Sequence, residues 1–156
     1  MKNQKSLTNK GFSLVELIIV VAIMAVLIGV LAPQYLRYVE KSRLQRDNSS
    51  ISEIANVAKM TSADETIIAE LSTAVTIKFT SSTGEIDLSA MSSTSAFYKE
   101  LDNTLNLSEI KLTSSTYSKN GYPELTVKVN SKNQVEVSAS GWWENPTTKA
   151  TTDKVF

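Results

Sequence analysis

Residues able to do chemistry are few in this chain, and the most informative of them stand near its start. Gly11 is followed by an aromatic residue, Phe12, and four positions later by a carboxylate, Glu16, inside an otherwise apolar run. A carboxylate at the centre of a membrane helix costs about 2.5–3.5 kcal/mol on insertion scales, and less near an interface. A residue of that kind calls for a partner. A cut between Gly11 and Phe12 would create one, because the new α-amino group at Phe12 is largely an ammonium at neutral pH. That ammonium is able to pair with Glu16 of its own chain or of a neighbouring copy.

Much other chemistry is excluded. The 156 residues include no His and no Cys. A His-based triad, a thiolate nucleophile, a His or Cys zinc site and a haem held by imidazole are therefore ruled out. Carboxylates, Lys, Tyr or a Ser-Lys pair remain, and no paired-carboxylate motif is present, so neither an enzyme nor a cofactor is expected. The 16 basic residues balance the 16 acidic ones, which argues against nucleic acid as a partner, since that needs a basic excess. Without Cys no disulfide supports the fold. This fits the cytosol, and equally export from an organism that does not rely on disulfides.

The weaker candidates have plain structural readings. Asp64-Glu65 and Glu85 with Asp87 lack the ligand density of a Ca²⁺ loop and read as a solvated acidic face. Trp142-Trp143 could form a glycan platform, but at least one of such a pair more often closes the edge of a core. Asn48-Ser49-Ser50 and Asn106-Leu107-Ser108 match the N-glycosylation pattern, as triplets in a Ser-rich chain do by chance. Tyr35 and Tyr38 read as packing or interfacial aromatics.

The elements that must position Gly11, Phe12 and Glu16 follow from patterning. Residues 1–11 form a basic leader with Lys2, Lys5 and Lys10. Residues 12–33 form an apolar segment, interrupted in 12–32 only by Ser13, Glu16 and Gly29. Those 21 helical residues reach about 31 Å, close to a hydrocarbon core of about 30 Å. A cleavable secretory signal has a shorter apolar region and would place Pro33 just after its cut. A plain signal-anchor explains length and leader but not Glu16. Orientation is not decided by charge, because Arg37, Lys41, Arg43 and Arg46 stand on the other side.

Beyond Pro33 the chain is polar, with 13 basic and 15 acidic residues in 34–156. Residues 34–60 form an amphipathic helix through Leu36, Val39, Leu44, Ile51, Ile54, Ala55 and Ala58, weak at Asp47-Asn48-Ser49-Ser50. Residues 12–60 then make one helix of about 70 Å. Residues 61–156 form a globular head. Ser62 and Glu65, at capping-box spacing, predict a helix over Ala63–Leu71, and alternation predicts a strand over Ala74–Thr80. Ile86 and Leu88 suggest a short strand, and Ala96–Leu105 a helix. Ile110–Tyr117, Glu124–Val129 and Gln134–Ser140 read as three antiparallel strands with turns at Asn120-Gly121 and Ser131–Asn133. The tail from Gly141 reads as loop. The fold class is α+β: a long N-terminal helix, membrane-spanning in its first half and amphipathic in its second, on a small antiparallel sheet.

The string KGFSLVELIIVVAIMAVL, with Gly11 before Phe12 and Glu16 four residues on, resembles the class III signal of type IV pilins, in its short-leader form. The Cys-free, Ser/Thr-rich head is similar to that of clostridial pilins. This resemblance implies cleavage after Gly11 by a prepilin peptidase, N-methylation of Phe12 by the same enzyme, and an assembly role for Glu16. Gly29 and Pro33 match positions around which pilin helices bend. Many relatives close a C-terminal loop with a disulfide, which this chain cannot do.

The resemblance further implies a structural subunit of an extracellular pilus, first held as a single-pass membrane precursor in lipid. It is then assembled into a homopolymer through its N-terminal helices by a platform protein and an ATPase. Adhesion, twitching motility or biofilm formation are the associated roles. The competing readings are a pseudopilin or minor pilin of a secretion or DNA-uptake apparatus and, from another class, a single-span anchored binding protein.

Overall fold

The computed structural model describes residues 11–92, 94–143 and 151–156. Residues 1–10 of the leader, and residues 144–150 of the segment read as a loop tail, lie outside the described residues. Two units are distinguished along the chain, one ending at Tyr38 and one comprising Val39–Phe156. A single helix, α1 (Leu14–Thr61), runs through both segments.

Within the second unit, α1 buries Leu44, Asp47, Ile51, Ile54, Ala55, Ala58 and Thr61. The three- and four-residue spacing puts them on one face. Each buried Leu or Ile contributes about 1.5–3 kcal/mol relative to exposure. Two short helical elements and a strand follow: α2 (Glu65–Glu70), β1 (Val75–Ile77) and α3 (Ala96–Leu105). Next come α4 (Ser115–Asn120), β2 (Glu124–Val129), β3 (Val135–Trp143) and β4 (Thr151–Val155). The strands form one antiparallel sheet in the order β1-β2-β3-β4. Leu125, Val127, Val137 and Ala139 lie on its inner face and join the α1 residues in one core with Phe97, Leu101, Leu107 and Tyr117. The class is the α+β arrangement expected: a long N-terminal helix with a small antiparallel sheet.

Several local expectations are corrected. The strand expected over Ile110–Tyr117 is limited to a bridge between Glu85 and Lys111. α4 then starts behind a Ser114 cap, whose hydroxyl accepts from the Thr116 amide. Parity explains the failure, because Leu112 and Tyr117 are both buried and an unbroken strand would send them to opposite faces. Asn120-Gly121 is correspondingly no hairpin turn but the end of α4, with Gly121 at φ 104°. The helix expected at Ala63 begins at Glu65 and is capped by Asp64; Ser62 is buried, its hydroxyl bonded to the Ala58 carbonyl. The strand over Ala74–Thr80 shortens to β1, with Phe79 bridging Ile86, and Leu88 opens a 3-10 turn.

The tail expected as loop from Gly141 contains the end of β3 and all of β4. A register shift between Ala139 and Trp142, with Gly141 at φ 71°, breaks strict alternation. Two successive side chains, Trp142 and Trp143, are thereby both buried. The pair closes the core rather than forming an open platform.

Gly84 marks a second tight passage. It lies at φ 73°, and a Cβ placed there would stand 2.4 Å from the Leu112 carbonyl oxygen. That carbonyl belongs to backbone already held by the Leu112 amide donating to the Gly84 carbonyl at 2.9 Å. Gly84→Ala is expected to destabilise the head by about 2 kcal/mol or more. Thermal unfolding of the full chain, read through Trp fluorescence, checks this, and an unchanged midpoint contradicts it.

Candidate processing and assembly site

The sequence places Gly11, Phe12 and Glu16 at the start of α1, and the geometry brings the last of these back to the helix end. Among the described residues, none beyond its chain neighbours comes within 4 Å of where a Cβ at Gly11 would stand. Phe12 is 91% exposed. Ser13 precedes the first helical residue, Leu14, and its backbone N–H donates to Glu16 Oε2 at 2.9 Å. This is the reciprocal half of a capping box, in which the residue three past the cap satisfies an orphan amide. The spacing Ser13-x-x-Glu16 is itself a capping-box signal in the sequence, beside the reading of Glu16 as a charge in an apolar run. Capping directs the carboxylate toward the helix N-terminus, where the positive end of the helix dipole also favours it.

The following turns carry apolar side chains in every direction. From Leu14 to Leu36 the large hydrophobic residues are each at least 48% exposed. A helix that is apolar all round is stable in a membrane or in the core of an assembly, and α1 is long and apolar enough to cross a membrane. Pro33 lies inside this helix. It has no N–H, so the carbonyl four residues earlier lacks its intrahelical donor, and that carbonyl belongs to Gly29. Gly29 also has open space around its missing Cβ. The two residues singled out from sequence thus affect the same turn. Tyr35 and Tyr38 are 66% and 73% exposed.

In the second unit, polar groups fasten α1 to the head where the apolar stripe is weakest. Buried Asp47 accepts from the Thr113 and Ser114 amides at 2.7 and 2.6 Å, both through Oδ2. Glu40 Oε1 accepts from the Ser114 hydroxyl, the Thr116 amide and the Thr116 hydroxyl at 2.8–2.9 Å. Two carboxylates on one helix therefore hold the N-terminus of α4. Asn48 donates to the Trp143 carbonyl at 2.7 Å and accepts from the Tyr117 hydroxyl. Arg46 donates to the Thr113 hydroxyl.

The electrostatics of the two carboxylates differ in sign. Burial pushes the Glu40 carboxyl up, but the hydrogen bonds from Ser114 and Thr116 outweigh it and hold the group below the usual carboxylate value. At Asp47 burial is the stronger influence and lifts the carboxyl, despite the Ser114 and Thr113 amides and the nearby Arg46 charge. Burial likewise raises the Tyr117 hydroxyl. Sequence reading missed this polar fastening, since Asp47, Asn48 and Glu40 look like interruptions of an amphipathic pattern when their partners are 66 to 95 residues away.

The other polar candidates have structural employment too. Asn48 has both ends of its side-chain amide engaged, whereas Asn106 is exposed in the left-handed region at φ 50°. Asp64 caps α2, Asp87 caps the 3-10 turn, and Glu85 pairs with Lys111 at 3.1 Å.

Residues 6–32 match the family described as "Prokaryotic N-terminal methylation motif". The chain is also similar to a "Prepilin peptidase-dependent protein A" from Clostridium perfringens (strain 13 / Type A), with 33% identity over 82 residues. That alignment covers 53% of this chain and 56% of the relative, so the chain spans little more than half the length of the curated protein it matches. No solved structure matches the chain significantly.

Proposed function

From a chain that carries the prokaryotic N-terminal methylation motif over residues 6–32, we propose a prepilin that becomes the structural subunit, and the major one, of an extracellular type IV pilus. Cleavage after Gly11 removes the basic leader, and Phe12 becomes a methylated N-terminus. Residues 12–33 hold the precursor in the membrane as a single-pass protein and later pack with neighbouring copies. Residues 34–60 carry the head, and Gly29 and Pro33 let the helix bend in the packed fibre. The partners are the prepilin peptidase, an assembly platform and its ATPase, membrane lipid, and further copies of the chain. Adhesion, motility or biofilm formation would follow from the fibre.

The observation that carries this reading is the coincidence of the motif with an apolar segment exposed on every side, in a chain whose polar head has its own core. Lipid before assembly and neighbouring helices afterwards are two environments of similar polarity. The segment exchanges one for the other without exposing its apolar surface to water. A heterologous contact that does not close then generates a helical filament.

Mass spectrometry of protein sheared from the cell surface tests the proposal. The expected species begins at Phe12 and carries one methyl group, and the subunit dominates the sheared fraction. An intact Met1 there, a start near Pro33, or a chain found only in membranes would defeat it.

A further inference from the structure

Within the head unit the exposed charges are polarised along α1. Around its entry, Lys41, Arg43 and Arg46 are exposed. The two acids of that stretch, Glu40 and Asp47, are occupied by the amides and hydroxyls of residues 113–116. At the other end of the same helix, where half-buried Lys59 donates to the Phe156 carbonyl, the exposed charged groups of the next two helices are mostly acidic. α2 with its cap and α3 carry Asp64, Glu65, Glu70, Glu100 and Asp102 against Lys99 alone. Glu70 is spent on the N-terminus of α3, where it accepts from the Ser95 hydroxyl and the Ala96 and Phe97 amides. Glu65 and Glu100 are exposed and enter none of the ion pairs among the described residues.

The acidic end also has an open groove of mixed, largely polar lining. Beside the end of α1 it presents Met60, Ala63 and Ile67 together with Thr66, Asp64 and Glu100. Met60 is 75% exposed although it stands in the last turn of a helix whose other face is core. The basic end offers the complement, since Lys41 and Arg43 are both exposed and enter none of the ion pairs among the described residues. From Lys41 to Thr61 the helix rises about 30 Å. The two complementary surfaces therefore lie at opposite ends and cannot meet within one chain.

We propose that the groove at Met60, Ile67 and Glu100 of one copy receives the basic stretch around Lys41 and Arg43 of the next. The contact is head-to-tail, charge-complementary and distinct from the packing of the apolar helices; it rests on the pilus reading above. A surface of one sign at one end and the opposite sign at the other makes a heterologous contact, which generates a filament when successive rotations do not close, and not a two-fold dimer. Complementary charge also fixes register and rejects like-sign encounters. Asp64 is excluded from the pairing variants below because it caps α2.

Charge exchange in the full chain, produced in cells lacking the native copy, tests this. Lys41→Glu with Arg43→Glu, and separately Glu65→Lys with Glu100→Lys, are each expected to reduce surface filaments by about tenfold or more. Mature subunit should remain in the membrane in both. Combining all four substitutions is expected to return filaments to near the parental level, since every contact regains opposite signs. Where a reversed variant is degraded, the corresponding Gln substitutions read the same contact through a smaller loss. Parental filament numbers from both reversed variants would overturn the proposal while leaving the pilus reading intact. So would loss in the basic-end variant alone with no rescue by the combination, which would assign Lys41 and Arg43 to lipid headgroups. Absence of filaments from the parental chain would remove both readings.

Discussion

Glu16→Leu is expected to leave cells with cleaved subunit in the membrane and few or no filaments on the surface. The substitution removes a carboxylate from an apolar helix, so membrane insertion should be unchanged or improved, by up to about 2.5–3.5 kcal/mol if the residue lies deep. The junction at Gly11-Phe12 is untouched, and cleavage should persist. What disappears is the acceptor for the ammonium that cleavage creates at Phe12. In a poorly solvated setting an unpaired charge of either sign costs several kcal/mol, so the pair would set both register and affinity of an incoming copy. The capping contact adds a second role that has to be separated from the first. Glu16 accepts from the Ser13 amide at 2.9 Å, and loss of a cap costs roughly 1 kcal/mol. Glu16→Gln keeps an acceptor oxygen and the side-chain length but carries no charge. If charge pairing drives assembly, the Gln variant should assemble as poorly as the Leu variant. Recovery of filaments by Gln would mean that the helix cap is what matters. A blot of precursor against mature subunit, beside a filament count, reads all of these outcomes. Uncleaved precursor from the Leu variant would assign Glu16 to recognition by the peptidase.

The second large effect is expected at Asp47. Asp47→Ala strands two backbone amides, that of Ser114 buried and that of Thr113 part-buried. At about 1–3 kcal/mol for each unsatisfied group, the loss should be roughly 2–5 kcal/mol, a large share of the stability of a small domain. Asp47→Asn should be far milder, because both amides donate to a single oxygen that the amide side chain also provides. The contrast extends to pH. Burial lifts the Asp47 carboxyl above its ordinary value, so the folded state holds the proton more tightly than the unfolded chain does. The stability linked to that proton is fully present below the unfolded pKa and is lost as pH rises through the folded one. The Asn variant does not titrate there. Its stability relative to the parent should therefore improve between acid and neutral pH. Glu40 has the opposite sign: its folded value is lowered, so its contribution is present above the unfolded pKa and lost as pH falls through the folded one. Glu40 is present in both proteins, so its contribution largely cancels in the comparison. Denaturation of the full chain in detergent at several pH values, read by the fluorescence of Trp142 and Trp143, provides the test. A constant difference between Asn variant and parent across that range would contradict the assignment.

The sequence by itself determined the features that depend on neighbouring residues and on solvent. The apolar segment, the position of Gly11 before Phe12, the carboxylate at Glu16 and the α+β class were all legible there. So were α3 over Ala96–Leu105 and β2 over Glu124–Val129, whose patterns match the elements found. Helix periodicity, strand alternation and membrane length are local properties, and no distant partner is needed to express them. The capping relation between Ser13 and Glu16 is equally local, and its spacing is legible in the sequence. Tertiary structure alone decided what became of residues whose partners lie far along the chain. Asp47, Asn48 and Glu40 are polar breaks in a stripe until the backbone of residues 113–116, the Tyr117 hydroxyl and the Trp143 carbonyl come to meet them. Ser114 starts a helix where strand parity failed, because Leu112 and Tyr117 both had to reach the core. Trp142 and Trp143 became strand rather than tail because Gly141 and a register shift let adjacent side chains bury together. In each case a buried polar or aromatic group needed a partner from another element, and only the folded chain brings those elements within reach.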